Sequence, residues 1–162
     1  MIQRFTFGCP LPTESVVLPV ESAAAAVPYL TAVPDGSWSF SLAEDAVVYG
    51  LGEMPRGINK RGWHYVTDNT DESHHGENRL SYYGAHNFLL IDGGAGRSVF
   101  GVFVDFPGKV FYDIGYTRHD RLTFRTEEPD YDLYILTGDS PNAVCTEFRK
   151  LIGHSYIPPK WA

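Results

Sequence analysis

The sequence is poor in cysteine, in basic residues and in long apolar runs, and each shortage excludes a class of protein. Its two cysteines, Cys9 and Cys145, form no C-x-x-C pair, so neither a redox motif nor a cysteine metal site is expected. Lys and Arg number 13 against 20 Asp and Glu, and this balance argues against nucleic acid or an anionic membrane as partner. No run approaches the length of a membrane span, and the start lacks the apolar segment of a signal peptide. We therefore predict a cytoplasmic protein.

Short segments rich in aromatic and β-branched residues fill most of the chain, with turn signals between them. The clearest is SWSFSL at 37–42, whose apolar side chains alternate onto one face. The glycine-rich stretch 93–96 separates HNFLLID from RSVFGVFVDF, as expected of a hairpin. Together with DAVVYGLGE, KVFYDI, DRLTFRT and YDLYIL, these make about seven strands in one domain, which predict a mainly β fold, a β-sandwich.

One helix is predicted near the end of the sequence, in DSPNAVCTEFRKLIG at 139–153. Ser140 is the expected N-cap, and Pro141 suits the first helical position. Val144, Phe148 and Leu151 recur at helical spacing, and Gly153 can end the helix. The following HSYIPPKWA contains two adjacent prolines, which predict an extended segment.

The polar segment NTDESHHGENRLSYYGAH, residues 69–86, is the richest in groups that could carry chemistry. Its candidate metal ligands are Asp71, His74, His75 and Glu77. Adjacent histidines point apart in regular structure, and no second His or Cys cluster complements them. We therefore favour a polar loop over a metal site, and we expect no cofactor.

Glycoside hydrolysis would need two acids on opposite sides of the scissile bond. The acids of this segment are Asp68, Asp71 and Glu72. They share one loop, and the sequence indicates no partner on an opposing wall. A self-contained glycosidase is therefore not predicted.

Two further patterns allow a structural and a functional interpretation. GLGE at 50–53 lacks the spacing of a phosphate loop, so its glycines are expected in a tight turn, with Glu53 buried against Arg56 or Arg61. Aromatic rings near the polar segment could stack on sugars or could belong to the core. These are Trp63, Tyr65, Tyr82 and Tyr83.

Four motifs occur in an order that resembles the N-terminal region of glycoside hydrolase family 31, the family of α-glucosidases and α-xylosidases. They are VVYGLGEMPRGINKRGWHYVTDNTD, YYGAHNFLL, FGVFVDFPGKVFYDIG and DLYILTGDSPNAVCTEFRKLIGHSYIPPKWA. The resemblance implies a galactose-mutarotase-like β-sandwich with one C-terminal helix over residues 1–153. Residues 154–162 would then begin the connection into a catalytic (β/α)8 barrel. Both catalytic aspartates would lie on that barrel, so the chain alone is expected to be inactive.

The resemblance also assigns a role to the polar segment. In this family a sandwich loop reaches over the barrel mouth and presents an aspartate to the substrate, and Asp71 occupies the matching position. The parent would be a retaining α-glucosidase that releases terminal α-linked glucose from small oligosaccharides. Its partners would be an α-glucoside substrate and its own barrel. The roles of the neighbours Glu72, Ser73, His74 and His75 stay open.

Alternatives from other classes remain. The chain could be an α-xylosidase domain, or a free-standing carbohydrate-binding module that uses Trp63 or Tyr82. A mutarotase-like enzyme would need an acid and a base in one pocket, for which His86 and Glu53 are available. The loop 68–79, polar and containing glycine, is expected to be mobile without a barrel beneath it.

Overall fold

A computed structural model describes residues 1–71, 73–94 and 96–161 of the chain. The strands are β1 (Ile2–Phe7), β2 (Thr31–Ala32), β3 (Trp38–Ser41), β4 (Val47–Gly52), β5 (Trp63–Thr67), β6 (Ala85–Asp92), β7 (Val99–Asp105), β8 (Val110–Ile114), β9 (Arg121–Thr126) and β10 (Tyr131–Thr137). The single helix of the described part, α1, runs over Pro141–Ile152. This is the predicted mainly β architecture with one C-terminal helix.

The strands form two antiparallel sheets of five strands each. The first sheet has the order β1-β10-β7-β6-β4, and the second has the order β2-β3-β9-β8-β5. Alternating side chains of both sheets meet in one apolar core, because successive residues of a strand point to opposite faces. The largest fully buried members of this core include Tyr65, Phe100, Phe124, Leu51, Leu89, Ile91, Ile114, Leu122, Leu133 and Ile135. The molecule is therefore a β-sandwich.

Helix α1 covers the outer face of the first sheet. Ser140 is its N-cap and accepts a hydrogen bond from the Ala143 backbone N–H at 3.2 Å. Val144 and Leu151 are fully buried against an outer cluster that includes Phe88 and Leu136. The helix therefore gives the first sheet a second apolar layer, and its predicted cap and apolar face are both confirmed.

The strands predicted from sequence are present, but three strands were missed. β1 and β5 were not predicted, and neither was the short β2. Strands β6 and β7 pair across the predicted hairpin, with Asp92 opposite Val99, although Ala95 in its turn lies outside the described residues. Ala162, at the end of the predicted connection 154–162, also lies outside them.

Two connections between the sheets lie on the same side of the sandwich. β4 and β5 are edge strands of different sheets, and residues 53–62 join them. The Lys60 backbone N–H donates to the Val48 carbonyl at 2.7 Å, and that of Gly62 donates to the Ile114 carbonyl at 2.5 Å. Residues 68–84 return from β5 to β6 on this side. The polar segment is therefore anchored between two sheet edges.

No helix in the described ranges is long and apolar enough to cross a membrane.

Candidate functional site

The polar segment begins as a two-sided stem that continues from β5. The backbone N–H of Val66 donates to the Leu80 carbonyl at 3.2 Å, and that of Thr70 donates to the Tyr82 carbonyl at 3.4 Å. Asn69 fixes the far side through its Oδ1, which accepts from the Ala85 N–H at 2.7 Å. These bonds hold the base of the loop, and the tip begins at residue 71.

Asp71 is the first residue beyond the stem, and its side chain is exposed. Among the residues that the structure describes, none donates a hydrogen bond to its carboxylate. An exposed carboxylate of this kind keeps its acceptor positions free, and each oxygen can receive hydrogen bonds from hydroxyl groups. Its neighbour Glu72, a residue of open role, lies outside the described residues.

His75, in the tip of the loop, contacts two aromatic rings. The His75 ring lies 5.0 Å from the Tyr82 ring and 5.3 Å from the Tyr83 ring, measured between centroids. The Tyr82 hydroxyl donates to the Gly76 carbonyl at 3.0 Å, which closes the tip on itself. Within the described ranges, no group of three or more His, Cys, Asp or Glu side chains is arranged to hold a metal ion.

Of the four aromatic candidates, one belongs to the core, one packs within the loop tip and two are partly exposed. Tyr65 is buried at 1% exposure, so it cannot serve as a sugar platform. Trp63 is 44% exposed, but the Arg56 guanidinium stacks on its ring at 4.0 Å. Tyr82 packs within the loop tip, as described above. The Tyr116 ring also stacks beside Trp63, with 6.3 Å between the centroids, so Tyr83, at 42% exposure, is the more open of the two partly exposed rings.

The interpretation of GLGE is wrong for both the turn and the acid, because Gly50 and Gly52 lie within β4, where the register shifts at a β-bulge. Gly50 and Gly52 have φ of 119° and 71°, which only glycine adopts readily. Glu53 is exposed rather than buried. Arg61 instead donates to the carbonyls of Ala43, at 2.6 Å, and His119, at 2.8 Å. Backbone acceptors satisfy this arginine, so it does not require a carboxylate.

A polar cleft of about 550 Å³ lies beside the stem, and sequence reasoning missed most of its residues. Its polar lining comprises Ser15, Thr67, Asp68, Asn69, His86, Asn87, Asp105, Lys109 and Glu127. Lys109 Nζ pairs with Asp68 Oδ2 at 2.8 Å, and this hydrogen bond raises the pKa of Lys109. Asn87 Oδ1 is buried and accepts no hydrogen bond from the described residues. The cleft thus offers both donors and acceptors to a polar ligand.

The mutarotase pair is not assembled in this cleft. His86 lines it, and desolvation lowers the pKa of the His86 imidazole, so the ring is neutral at pH 7. Glu53 is not among the described residues that line the cleft. The structure therefore does not bring the expected base to the expected acid in a common pocket.

The architecture is that of a galactose-mutarotase-like β-sandwich domain. A sequence profile of this class, described as the glycosyl hydrolase 31 N-terminal galactose mutarotase-like domain, matches residues 25–113. The chain belongs to this family, and the resemblance noted in its motifs is confirmed.

Similar proteins are enzymes of this family that are much longer than the chain. The chain is 31% identical over 122 residues to the α-xylosidase XylQ of Lactiplantibacillus pentosus, covering 75% of the chain and 15% of that protein. It is 30% identical over 122 residues to the probable maltase-glucoamylase 2 of Homo sapiens, covering 72% of the chain and 5% of that protein. The chain therefore spans less than a sixth of either relative.

Solved structures show the same fold. A GH31 dextranase of Flavobacterium johnsoniae, complexed with isomaltotriose, superposes with a TM-score of 0.69 at 24% identity over 85% of the chain and 16% of the enzyme. A cycloalternan-degrading enzyme of Trueperella pyogenes, in complex with isomaltose, gives a TM-score of 0.69 at 18% identity over 85% of the chain and 22% of that enzyme. Both superpositions show the same β-sandwich fold.

Proposed function

We propose that the chain is the non-catalytic N-terminal domain of a retaining α-glucosidase that releases terminal α-linked glucose from small oligosaccharides. In this proposal residues 1–153 form the domain, and residues 154–162 begin the connection into the catalytic barrel. The membership in glycoside hydrolase family 31 supports the reaction class. The catalytic aspartates belong to the barrel, so the chain alone has no hydrolytic activity.

The position of Asp71 carries the substrate-site part of the proposal. Its carboxylate is exposed, has no donor among the described residues and follows a stem held by backbone hydrogen bonds. A carboxylate in this setting can accept hydrogen bonds from two neighbouring sugar hydroxyls, because neither oxygen is already used. Asp71 therefore acts as a substrate-binding residue that the sandwich contributes to the barrel.

The test is replacement of Asp71 in the complete enzyme that contains this domain. Hydrogen bonds to a charged group contribute about 1.5–3 kcal/mol, so Asp71→Ala should lower kcat/KM for maltose by about 10- to 100-fold. Asp120→Ala is the control, because Asp120 is also an exposed carboxylate but lies away from Asp71. Asp120 follows the Ile114 end of β8, which pairs with the start of β5, whereas Asp71 follows the end of β5. If Asp71→Ala leaves kcat/KM unchanged and the melting temperature intact, Asp71 is not in the site.

An α-xylosidase domain is the second candidate, because the chain is as similar to an α-xylosidase as to a maltase-glucoamylase. The two substrates differ by the hydroxymethyl group of glucose. Comparing kcat/KM for p-nitrophenyl α-glucoside and α-xyloside in the complete enzyme separates them. A ratio in favour of the xyloside would replace the glucosidase assignment.

A free-standing carbohydrate-binding module is the third candidate, and the polar cleft favours it. A cleft lined by amide, carboxylate and ammonium groups is suited to a neutral polyol. Titration of the 162-residue chain with glucose and maltose, followed by amide NMR shifts around Asn87, tests this function. Saturable binding, together with a reading frame that stops after Ala162, would favour the module. A frame that continues into strand–helix repeats would favour the α-glucosidase.

A further inference from the structure

Two cations and a tyrosine converge on the side of the sandwich where residues 53–62 join the sheets. The Arg56 guanidinium carbon lies 4.0 Å from the Trp63 ring centroid and 5.5 Å from that of Tyr65. Lys60 Nζ lies 5.7 Å from the same Tyr65 centroid. We call Arg56, Lys60 and Tyr65 the cationic cluster. Both positive charges therefore lie within about 6 Å of the centre of the Tyr65 ring.

The cationic cluster holds an unusual number of buried donors without acceptors. Arg56 Nε and Nη1 are buried and find no acceptor within the described part of the chain. The Tyr65 hydroxyl is also buried and has no hydrogen-bond partner among the described residues. Burial raises the pKa of Tyr65, and the adjacent Arg56 guanidinium lowers it. Lys60 is 6% exposed, and within the described ranges its Nζ makes only one hydrogen bond, a long one of 3.4 Å to the Pro55 carbonyl. Buried donors normally have partners, so this cluster lacks an acceptor.

The surrounding charges indicate what the acceptor is. Burial lowers the pKa of Lys60, the charge of Glu77 raises it, and the charge of Arg56 lowers it. No ion pair joins Glu77 or another carboxylate to Arg56 or Lys60 among the described residues. Both cations therefore lack a paired anion there, and a buried unpaired charge is costly.

We propose that the cationic cluster is a binding site for one carboxylate group, supplied by an acidic sugar or by an acidic side chain of another domain. A carboxylate would supply the paired negative charge that neither cation has among the described residues. The oxygens of a carboxylate accept several hydrogen bonds, which suits the free donors of Arg56 and Tyr65. A neutral sugar would supply acceptors but would leave the charge uncompensated. This site is independent of Asp71 and of the polar cleft.

Acetate titration of the 162-residue chain at constant ionic strength tests the proposal. The readout is the indole N–H resonance of Trp63, because its ring stacks on Arg56. Acetate should shift this resonance saturably, and chloride at the same ionic strength should not. Arg56→Gln should weaken acetate binding by about tenfold or more, since it removes a charged donor. Glu77→Gln should strengthen binding, since it removes a neighbouring negative charge.

A matched control and a set of probes separate the outcomes. Arg125 also stacks on an aromatic ring, with its guanidinium carbon 4.1 Å from the Phe111 centroid, so Arg125→Gln should bind acetate like the wild type. Glucuronate that binds at least as tightly as acetate indicates an acidic sugar, while binding of acetate alone indicates a protein side chain. Three results would each overturn the proposal. These are no saturable shift in both wild type and Glu77→Gln, unchanged affinity in Arg56→Gln, or tighter binding of inorganic phosphate than of acetate.

Discussion

Replacing Asp105 with Asn should make the domain more stable at neutral pH. Asp105 lies directly opposite Asp132 in the register of β7 and β10, so the two carboxylates share one face of the sheet. The Asp132 carboxylate accepts a hydrogen bond from the Arg4 guanidinium at 2.7 Å and another from the Thr6 hydroxyl at 2.7 Å. Asp105 accepts a hydrogen bond from the Thr13 hydroxyl at 2.5 Å but has no ion pair in the described structure. An amide at position 105 can still accept this bond and carries no charge.

The expected gain depends on pH in a way that the structure defines. Burial raises the pKa of Asp105, the Thr13 hydrogen bond lowers it, and the charge of Asp132 raises it, with a net increase above 3.8. A carboxyl whose folded pKa exceeds its unfolded pKa contributes stability below the unfolded value and loses it as pH rises through the folded value. The advantage of Asp105→Asn should therefore be absent near pH 3.5 and complete at pH 7.5. Burial of the carboxylate is the largest cause of this gain, and like charges directly opposite on a sheet add about 0.5 kcal/mol.

Urea unfolding followed by tryptophan fluorescence at both pH values measures this difference. Asp92→Asn is the matched control, because Asp92 lies on the same sheet opposite Val47 and Val99 and faces no carboxylate. The control should show no such change with pH. If Asp105→Asn gives the same free energy difference at pH 3.5 and pH 7.5, or is less stable at pH 7.5, the electrostatic reasoning is wrong.

Three further predictions concern stability, and chemical denaturation at pH 7 measures each of them. Leu151→Ala should lower the free energy of unfolding by about 2–5 kcal/mol, because this side chain on the inner face of α1 is fully buried. Cys145→Ala, on the exposed face of the same helix, should change it little. Equal effects of the two substitutions would contradict the observed packing. Ser140→Ala should cost about 1 kcal/mol through the lost N-cap, and restoration by Ser140→Asp should confirm that cause. Tyr112→Phe should be neutral or stabilising, because the hydroxyl is buried without a partner among the described residues, and this burial raises the pKa of Tyr112. A loss of more than about 1 kcal/mol in the free energy of unfolding would reveal a hydrogen-bond partner.

The helix could be predicted from sequence because its signals are local. Ser140, Pro141 and Gly153 lie within fifteen residues of one another, and each acts on the backbone of the helix end where it lies. Strand β1 was missed because IQRFTF mixes polar and apolar residues, and its place depends on pairing with β10, more than 120 residues away. A strand whose partner is so distant has little local signal.

The candidate site could be predicted only in part for the same reason. Asp71 belongs to a continuous polar loop, and its sequence neighbours predict exposure. The cleft instead combines Asn87, Asp105 and Lys109, which come together only because β6, β7 and β8 end near one another. The wrong burial of Glu53 has a related cause. Arg61 binds main-chain carbonyls, and these acceptors leave no trace in the amino-acid sequence.

The pairing of β5 with β8 also fixes the position of the base of the polar loop. Tyr65 lies opposite Tyr112, and both rings are buried, so a slip by one residue would turn Tyr65 toward solvent. A slip by two residues would keep the faces but would move the base of the loop by about 6.6 Å. Asp71 lies four residues beyond the end of β5. The position of Asp71 therefore depends on the packing of the Tyr65 and Tyr112 rings inside the sandwich. A core substitution that loosens this pair should therefore shift Asp71 without changing any residue of the loop.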